Sequence, residues 1–347
     1  MKVYFGTYQA LLMNRGGPTY KIFSLKQHLE KLGIEIELFD MWNAEKQPCP
    51  KDLLHLFTAN LNTFPLARNL YVSNIPYVVN PIFFSSHSAG LIRTYLSVEK
   101  AVAGILKRSY SDYTITKQIC MAAQKVLPNT QAEGKLLQNA LNINKNKTQV
   151  IYNGVEKRFA EADPTIFRKK YGWENFILYV GHLGSLRKNG KNIVKAMQQI
   201  DAPSVIIADV MNTEEGKWCE QQIQKSTKIK LIKWLPHHDP LFASAYAACH
   251  TFILPTMFET PGRAALEAAL AGANIVITPY GGTREYFHNM VEYAEPRSVK
   301  SIVEATEKML NKKKTNRLKK HILENYIWDK IAQDTKKMYE EVMQELG

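Results

Sequence analysis

Long apolar runs are missing. No stretch of the 347 residues approaches the roughly 20 needed to cross a bilayer, although 45% of the chain is hydrophobic. Lys2 and the strand-like Val3-Tyr4-Phe5 stand where a secretory leader would place its charged start, so the expectation is a cytoplasmic protein. Cysteine is scarce, and its four copies (Cys49, Cys120, Cys219, Cys249) are widely scattered, with no C-x-x-C pair and no histidine at ligand spacing. That excludes a zinc framework or a disulfide scaffold and predicts buried or neutral thiols. Negative charge is also short, with 32 acidic against 45 basic residues and a formal net charge of +13. The imbalance favours anionic partners such as phosphates, lipid surfaces or nucleic acid without choosing among them. No aromatic recognition motif is interleaved with the basic residues, so nucleic acid is not expected as a partner. The length is sufficient for two ordinary domains with real cores.

What is present is organised around Leu254-Pro-Thr-Met-Phe-Glu-Thr-Pro-Gly-Arg-Ala-Ala-Leu-Glu-Ala-Ala-Leu-Ala-Gly272. Thr260 suits an N-cap, Pro261 suits a first helical position, and Gly272 suits a stop, which predicts a helix over 261–271. Its small apolar residues are those of a helix buried on most of its circumference. Arg263 and Glu267, four apart, share a face, and a buried carboxylate must be satisfied. Glu259 stands about two turns before Glu267, roughly 12 Å at 1.5 Å per residue. The helix start between them favours an anion. A nucleotide-diphosphate sugar has that layout, with a hydroxylated ring at each end and a pyrophosphate in the middle.

Glu259-x7-Glu267, preceded by Leu254-Pro255 and followed by Ala271-Gly272, resembles the E-x7-E motif of the retaining glycosyltransferases of family 4. The resemblance implies an α/β protein of the GT-B fold, with two Rossmann-like doubly wound domains facing an interdomain cleft. It also implies that Glu259 contacts the donor sugar and Glu267 the ribose. Family members usually read E-G-F-G where this chain has Glu259-Thr260-Pro261-Gly262; Thr260, Pro261, Gly262 and Arg263 are the corresponding donor-binding candidates.

The opening reads as strand (Val3 to Gly6), turn (Arg15-Gly16-Gly17-Pro18), helix (Ile22, Leu25, Leu29, Leu32 on one face, Gly33 as stop) and strand (Ile34 to Phe39). In the resembled family a Gly-Gly turn here approaches the donor phosphates and acceptor, which makes Gly17 the candidate. Where the family often has a histidine near the reacting sugar, this chain has Ile82 and Phe83; His87 is a possible substitute, and His55 reads as a core histidine. Gln149-Val-Ile-Tyr-Asn-Gly-Val155 resembles the strand and turn that end the first domain. The expected division is an acceptor domain over 1–158, with a C-terminal helix over 325–347 packing back on it, and a donor domain over 164–322.

The second domain opens on a buried-type strand ending at Gly181-His182, then Leu183-Gly-Ser-Leu-Arg187-Lys188-Asn189-Gly190-Lys191, then a helix. Strand, basic Gly-containing loop and helix is how a doubly wound sheet presents phosphate ligands. The resemblance places Lys188 on the family's lysine and His182 where arginine is usual, with Arg187 or Lys191 supplying the second charge. In the family the residues after the strand that leads to Leu235 pack on the base, a role open to the Leu235 backbone or to Trp234, although Trp234 reads first as a core residue. Gly281, Gly282 and Glu285 match G-G-x-x-E, with Glu285 read as structural; Lys312 to Lys320 is the densest basic run and reads as a solvated face, with docking on an anionic membrane as its alternative.

No Asp-x-Asp pair occurs, so no metal or other cofactor is expected and the leaving-group charge falls to cationic side chains and helix ends. The function implied is retaining, metal-independent transfer of a hexosyl group from a nucleotide-diphosphate sugar to a glycan or lipid-linked acceptor, in surface polysaccharide or glycoconjugate synthesis. Glu259, Lys188 and Arg187 are the catalytic candidates. The alternatives are an inverting transferase or nucleotide-sugar epimerase on the same fold, and a non-catalytic basic nucleotide- or nucleic-acid-binding protein.

Overall fold

The computed structural model describes residues 1–13, 16–102, 111–233 and 235–346. Arg15, Lys107, Arg108 and Trp234 lie outside the described residues. The chain divides into two compact units, Met1–Gly154 with Trp328–Gly347, and Val155–Ile327.

The first unit runs β1 (Lys2–Gly6), α1 (Gly17–Lys31), β2 (Glu35–Leu38), β3 (Leu53–Phe57), α2 (Phe64–Val72), β4 (Tyr77–Asn80), α3 (Ala89–Val102), α4 (Asp112–Ala122), β5 (Lys125–Val126) and α5 (Gln131–Leu141). All its strands pair in parallel, in the order β2-β1-β3-β4-β5. Covered on both faces, such strands need continuous apolar runs, and every residue of Leu53–Phe57 is buried. One core lies between the sheet and α1 and includes Ile22, Leu25, Leu29, Phe57 and Val78. The last helix of the chain, α14 when the second unit is counted through (Trp328–Leu346), closes that core with Trp328, Ile331, Met338, Tyr339 and Val342. Each large side chain so buried is worth roughly 2 kcal/mol. His55 is a core residue, 1% exposed, with Nδ1 2.6 Å from the Tyr339 hydroxyl. Gly154 must be glycine because a Cβ there would sit 2.5 Å from the Trp328 ring.

A buried polar network sits beside this core. Lys21 of α1, 4% exposed, donates from Nζ to Asn129 Oδ1 at 2.6 Å. Glu133 of α5, 6% exposed, accepts from the Phe83 N–H at 2.7 Å and the Asn129 N–H at 2.7 Å. Burial pushes the Lys21 ammonium down to about 7, against an opposing pull from Glu133. The folded state therefore binds fewer protons at Lys21 than the unfolded chain between that value and the ordinary lysine range. Lys21 is expected to make stability rise with pH across that window, by up to about 1.4 kcal/mol per pH unit. Urea unfolding at pH 7, 8 and 9 checks this: Lys21→Met should flatten the slope relative to wild type, and an unchanged slope refutes it.

The second unit continues with α6 (Pro164–Tyr171), β6 (Ile177–Leu183), α7 (Gly190–Gln199), β7 (Ser204–Val210), α8 (Glu214–Gln224), β8 (Ile229–Ile232), α9 (Pro240–Ala248) and β9 (Thr251–Leu254). Then come α10 (Arg263–Leu270), β10 (Asn274–Ile277), α11 (Thr283–Phe287), β11 (Glu292–Tyr293), α12 (Val299–Leu310) and α13 (Asn316–Asn325). Its strands too are all parallel, ordered β11-β10-β9-β6-β7-β8. β6 connects onward to β7 on one side and β9 to β10 on the other, so the strand order reverses between β6 and β9. Ligands of doubly wound sheets bind in the crevice that opens at such a reversal, at the strands' carboxyl ends.

Two sequence expectations need correction. The central helix does not start at Pro261: α10 starts at Arg263, because Gly262 caps it at φ +84°, after a cis Thr260-Pro261 peptide. The basic run after Lys312 is not wholly solvated, since Lys314 Nζ donates to the Cys249 carbonyl and Lys319 Nζ to the Ala160 carbonyl at 2.6 Å. Among the described residues, no helix is long and apolar enough to cross a membrane.

Candidate functional site

The loops leaving β6 and β9 meet at the strand-order reversal. Asn189, at φ +61°, donates from its amide to the carbonyls of Pro255 at 2.8 Å and Pro296 at 2.7 Å, tying the basic loop to the loop after β9. The Met257 N–H donates back to the Arg187 carbonyl at 2.9 Å. Leu186–Lys188 form a single 3-10 turn, which presents Arg187 and Lys188 as neighbours.

Glu259 is held from the opposite side. It forms a parallel bridge with Gly281, donating its N–H to Tyr280 O at 3.1 Å and accepting the Gly282 N–H at 2.9 Å. Gly281, at φ +92°, permits this approach, because a Cβ there would lie 2.1 Å from the Glu259 carbonyl oxygen. The first Gly of the G-G-x-x-E match thus has a packing reason, and Glu285 lies in the first turn of α11. Gly262 also has one: a Cβ would press on Leu254 at 3.1 Å and Ile277 at 3.2 Å.

The carboxylate of Glu259, a residue 8% exposed, lies 2.7 Å from Lys188 Nζ and 3.4 Å from Arg187 Nη1, and accepts from the Thr256 hydroxyl at 3.2 Å. Burial alone would push its carboxyl up; Lys188 and then Arg187 overcome that and hold it below the ordinary carboxylate value. Arg187 also lies over the Phe258 ring at 5.3 Å. A buried anion and two cations at the edge of a parallel sheet form a switchable pair: an incoming anion can take the cations, and the carboxylate is then free to accept from a hydroxyl.

Glu267, 2% exposed, is gripped on both oxygens. Oε1 lies 2.8 Å from His237 Nε2 and 3.4 Å from Arg263 Nε, and Oε2 accepts from the Tyr246 hydroxyl at 2.8 Å. Burial raises this carboxyl too, and Arg263, His237 and Tyr246 together bring it below its ordinary value. Arg158 donates to the His237 carbonyl at 2.6 Å and faces His237 Nδ1 at 3.2 Å, which assigns the proton to Nε2 and makes His237 a donor to Glu267. Oε2, with one protein donor among the described residues, keeps acceptor capacity for a ligand hydroxyl.

The other candidates are spread more widely. His182, exposed at the end of β6, stands 3.8 Å from Asp209; desolvation and then Lys188 lower its pKa. Lys191 is exposed in the first turn of α7 with Nζ 5.8 Å from the Trp218 ring centroid, so it does not join the Glu259 cluster in this structure. Leu235 is half-buried in the segment after β8, two residues before His237. Thr260 and Pro261 lie in the turn before α10. Gly17 belongs to the first unit, where it opens α1 and faces open space, so no packing contact requires glycine there. His87 is exposed, with Nδ1 2.9 Å from the Tyr113 hydroxyl. Among the described residues, no group of three or more His, Cys, Asp or Glu is placed to hold a metal ion.

Sequence reading missed Thr256, Asn189 as a staple, His237, Tyr246 and Arg158. Only His237 carried a signal, as a polar residue just past a strand of the same sheet. Tyr246, inside the apolar run of α9, is indistinguishable from core by pattern.

The family model for glycosyl transferases group 1 matches residues 164–324. An uncharacterized glycosyltransferase of Methanocaldococcus jannaschii is 24% identical over 352 aligned positions, covering 95% of this chain and 82% of the relative. Among solved structures, a sucrose-phosphate synthase from Thermosynechococcus elongatus superposes with a TM-score of 0.73 at 16% identity, over 99% of this chain and 100% of the other. HepE of Anabaena, solved in complex with UDP and glucose, gives 0.69 at 18% identity, over 98% and 100%.

Proposed function

For a chain that is a glycosyltransferase of the GT-B superfamily, we propose a retaining, metal-independent transfer of a sugar from a nucleoside-diphosphate donor to a glycan or lipid-linked acceptor. The observation that carries this reading is the meeting of Lys188 and Arg187 with buried Glu259 where the strand order reverses, directly before α10.

Departure of a nucleoside diphosphate develops negative charge on its phosphates. Preorganised cations and N–H groups, aimed there in advance, are the largest available catalytic term. Lys188 and Arg187 supply the cations, and the free N–H groups at the start of α10 add a partial positive charge. Drawn onto the diphosphate, the two cations release Glu259 to accept from hydroxyls of the donor sugar. Glu267 takes a ribose hydroxyl on Oε2. Thr260, Pro261, Gly262 and Leu235 line the donor. Of the basic run, Lys312, Lys313 and Lys320 remain exposed for an anionic membrane surface. The setting that fits is the cytoplasmic synthesis of surface glycans.

HepE of Anabaena was solved with UDP and glucose, so UDP-glucose is the first probe for this chain, beside GDP- and ADP-sugars. A ligand at 100 times its Kd stabilises the folded state by about 2.7 kcal/mol. A shift of several degrees in Tm with one nucleotide class is the expected result, and no shift with any of them refutes the reading. NMR of the product formed with that donor should show the donor's anomeric configuration; inversion would refute the retaining course.

A further inference from the structure

Asn189 does not do what an asparagine ordinarily does at a helix start. It stands directly before α7, where such a side chain accepts an N–H of the first turn, and here no capping bond forms. Its amide instead gives both hydrogens to carbonyls, Pro255 O at 2.8 Å and Pro296 O at 2.7 Å. Pro255 follows β9 and Pro296 follows β11, so one NH2 group joins the loops that leave β6, β9 and β11. A second amide, from Asn192 in the first turn of α7, shares the Pro296 carbonyl at 3.0 Å. Asn189 is 5% exposed, so water hardly competes for these bonds.

The backbone at Asn189 is as unusual as its side chain. Its φ of +61° is left-handed, a conformation that asparagine tolerates better than residues other than glycine. That one residue ends the 3-10 turn, with its N–H on Leu186 O at 3.2 Å, and begins α7, with its carbonyl accepting the Ile193 N–H at 3.2 Å. Glycine would meet the backbone demand alone, and aspartate would aim acceptors at two carbonyls. Only asparagine meets the backbone demand and also supplies two donors. The segments it ties carry the central ion pair: Lys188 is its neighbour in sequence, and Glu259, 2.7 Å from Lys188 Nζ, lies four residues beyond Pro255.

We propose that Asn189 is a positioning residue for sugar transfer, holding Lys188 in place against Glu259 before the donor arrives. The inference deepens the sugar-transfer reading above and rests on it. A cation stabilises a departing diphosphate most when it is aimed in advance, and a misplacement of about 1 Å costs on the order of 100-fold in rate.

The experiment compares wild type, Asn189→Gly, Asn189→Ala, Lys188→Ala and the double variant Lys188→Ala/Asn189→Gly, all as full chains. Its readouts are Tm, UDP affinity, kcat for UDP release from UDP-glucose, and the carbon-13 titration of the Glu259 carboxyl. Glycine keeps the left-handed backbone and loses the amide, whereas alanine loses the amide and strains the backbone. Both are expected to lose at least about tenfold in kcat with UDP affinity within about threefold of wild type, while alanine lowers Tm further than glycine. Because the effect runs through Lys188, adding Asn189→Gly to Lys188→Ala should cost less than about twofold more. Glu259 should titrate at higher pH in Asn189→Gly than in wild type, the direction expected for Lys188→Ala. Wild-type kcat in Asn189→Gly overturns the proposal, as does a full tenfold loss on top of Lys188→Ala or a Glu259 titration that does not move. If wild type neither binds UDP nor releases it from UDP-glucose, the donor assignment fails instead, and the Glu259 titration then decides by itself whether Asn189 positions Lys188: a rise upholds it and no change overturns it.

Discussion

Replacing Lys188 with alanine is expected to lower kcat for donor turnover about 100- to 1000-fold, equivalent to roughly 3–4 kcal/mol of transition-state stabilisation. Two consequences of the geometry separate this from a general loss of fold. The 3-10 turn is made by backbone bonds, including the Lys188 N–H to Ser185 O at 2.8 Å, which alanine keeps. Substrate affinity should change less than kcat, since the charge that Lys188 meets is largest as the leaving group departs. The pH profile gives an independent check. In wild type the folded-state carboxyl of Glu259 is depressed, so its contribution to stability is present above the ordinary glutamate value and is lost as pH falls through the lower folded value. Without Lys188, less opposes the burial, with Arg187 and Thr256 remaining, and the Glu259 carboxyl rises. The acid limb of the kcat/KM profile should then move to higher pH, and the advantage in stability near neutral pH should shrink. Lys188→Ala with wild-type kcat and an unmoved acid limb would sink the assignment.

The site's legibility in the sequence divides along physical lines. Whatever depends on one segment could be read: the buried strands of both sheets, the shared face of Arg263 and Glu267, and the Gly-containing basic loop between β6 and α7. Whatever depends on two distant segments could not. Pro261 has the local preferences of a first helical residue, but the bridge between Glu259 and Gly281 sets the path of the chain, and Gly262 at positive φ is what turns it into α10. Here tertiary contact overrode a capping preference worth about 1 kcal/mol. The family resemblance implied a pyrophosphate for Lys188 and Arg187 but not their meeting with Glu259, because no local pattern tells a basic loop which acid it will face. Tyr246 and His237 come from α9 and from the segment before it, and they serve an acid on α10. Only the packing of α9 against α10 reveals them.

For Glu267, the informative change is to glutamine, because alanine removes the acceptor that His237 and the buried Tyr246 hydroxyl share and should destabilise the chain by about 1–3 kcal/mol. Glutamine can be accommodated. Its carbonyl oxygen can accept from His237 and Arg263 while its amide donates to the Tyr246 oxygen, which can reverse its role. What glutamine cannot do is keep an acceptor on the Tyr246 side for a ribose hydroxyl. Glu267→Gln is therefore expected to weaken UDP binding by about 10- to 150-fold, the worth of a hydrogen bond to a charged acceptor, about 1.5–3 kcal/mol. The loss should appear in Kd and KM with little change in kcat, because ground state and transition state share the contact. That pattern is opposite to the one expected for Lys188→Ala. Deoxyribose nucleotides close the cycle: UDP lacking the 2′- or the 3′-hydroxyl should bind wild type more weakly, and for one of the two Glu267→Gln should cost nothing further. If Glu267→Gln weakens UDP and both deoxy analogues equally, the carboxylate does not touch the ribose, and its contacts with His237, Tyr246 and Arg263 are then its whole role.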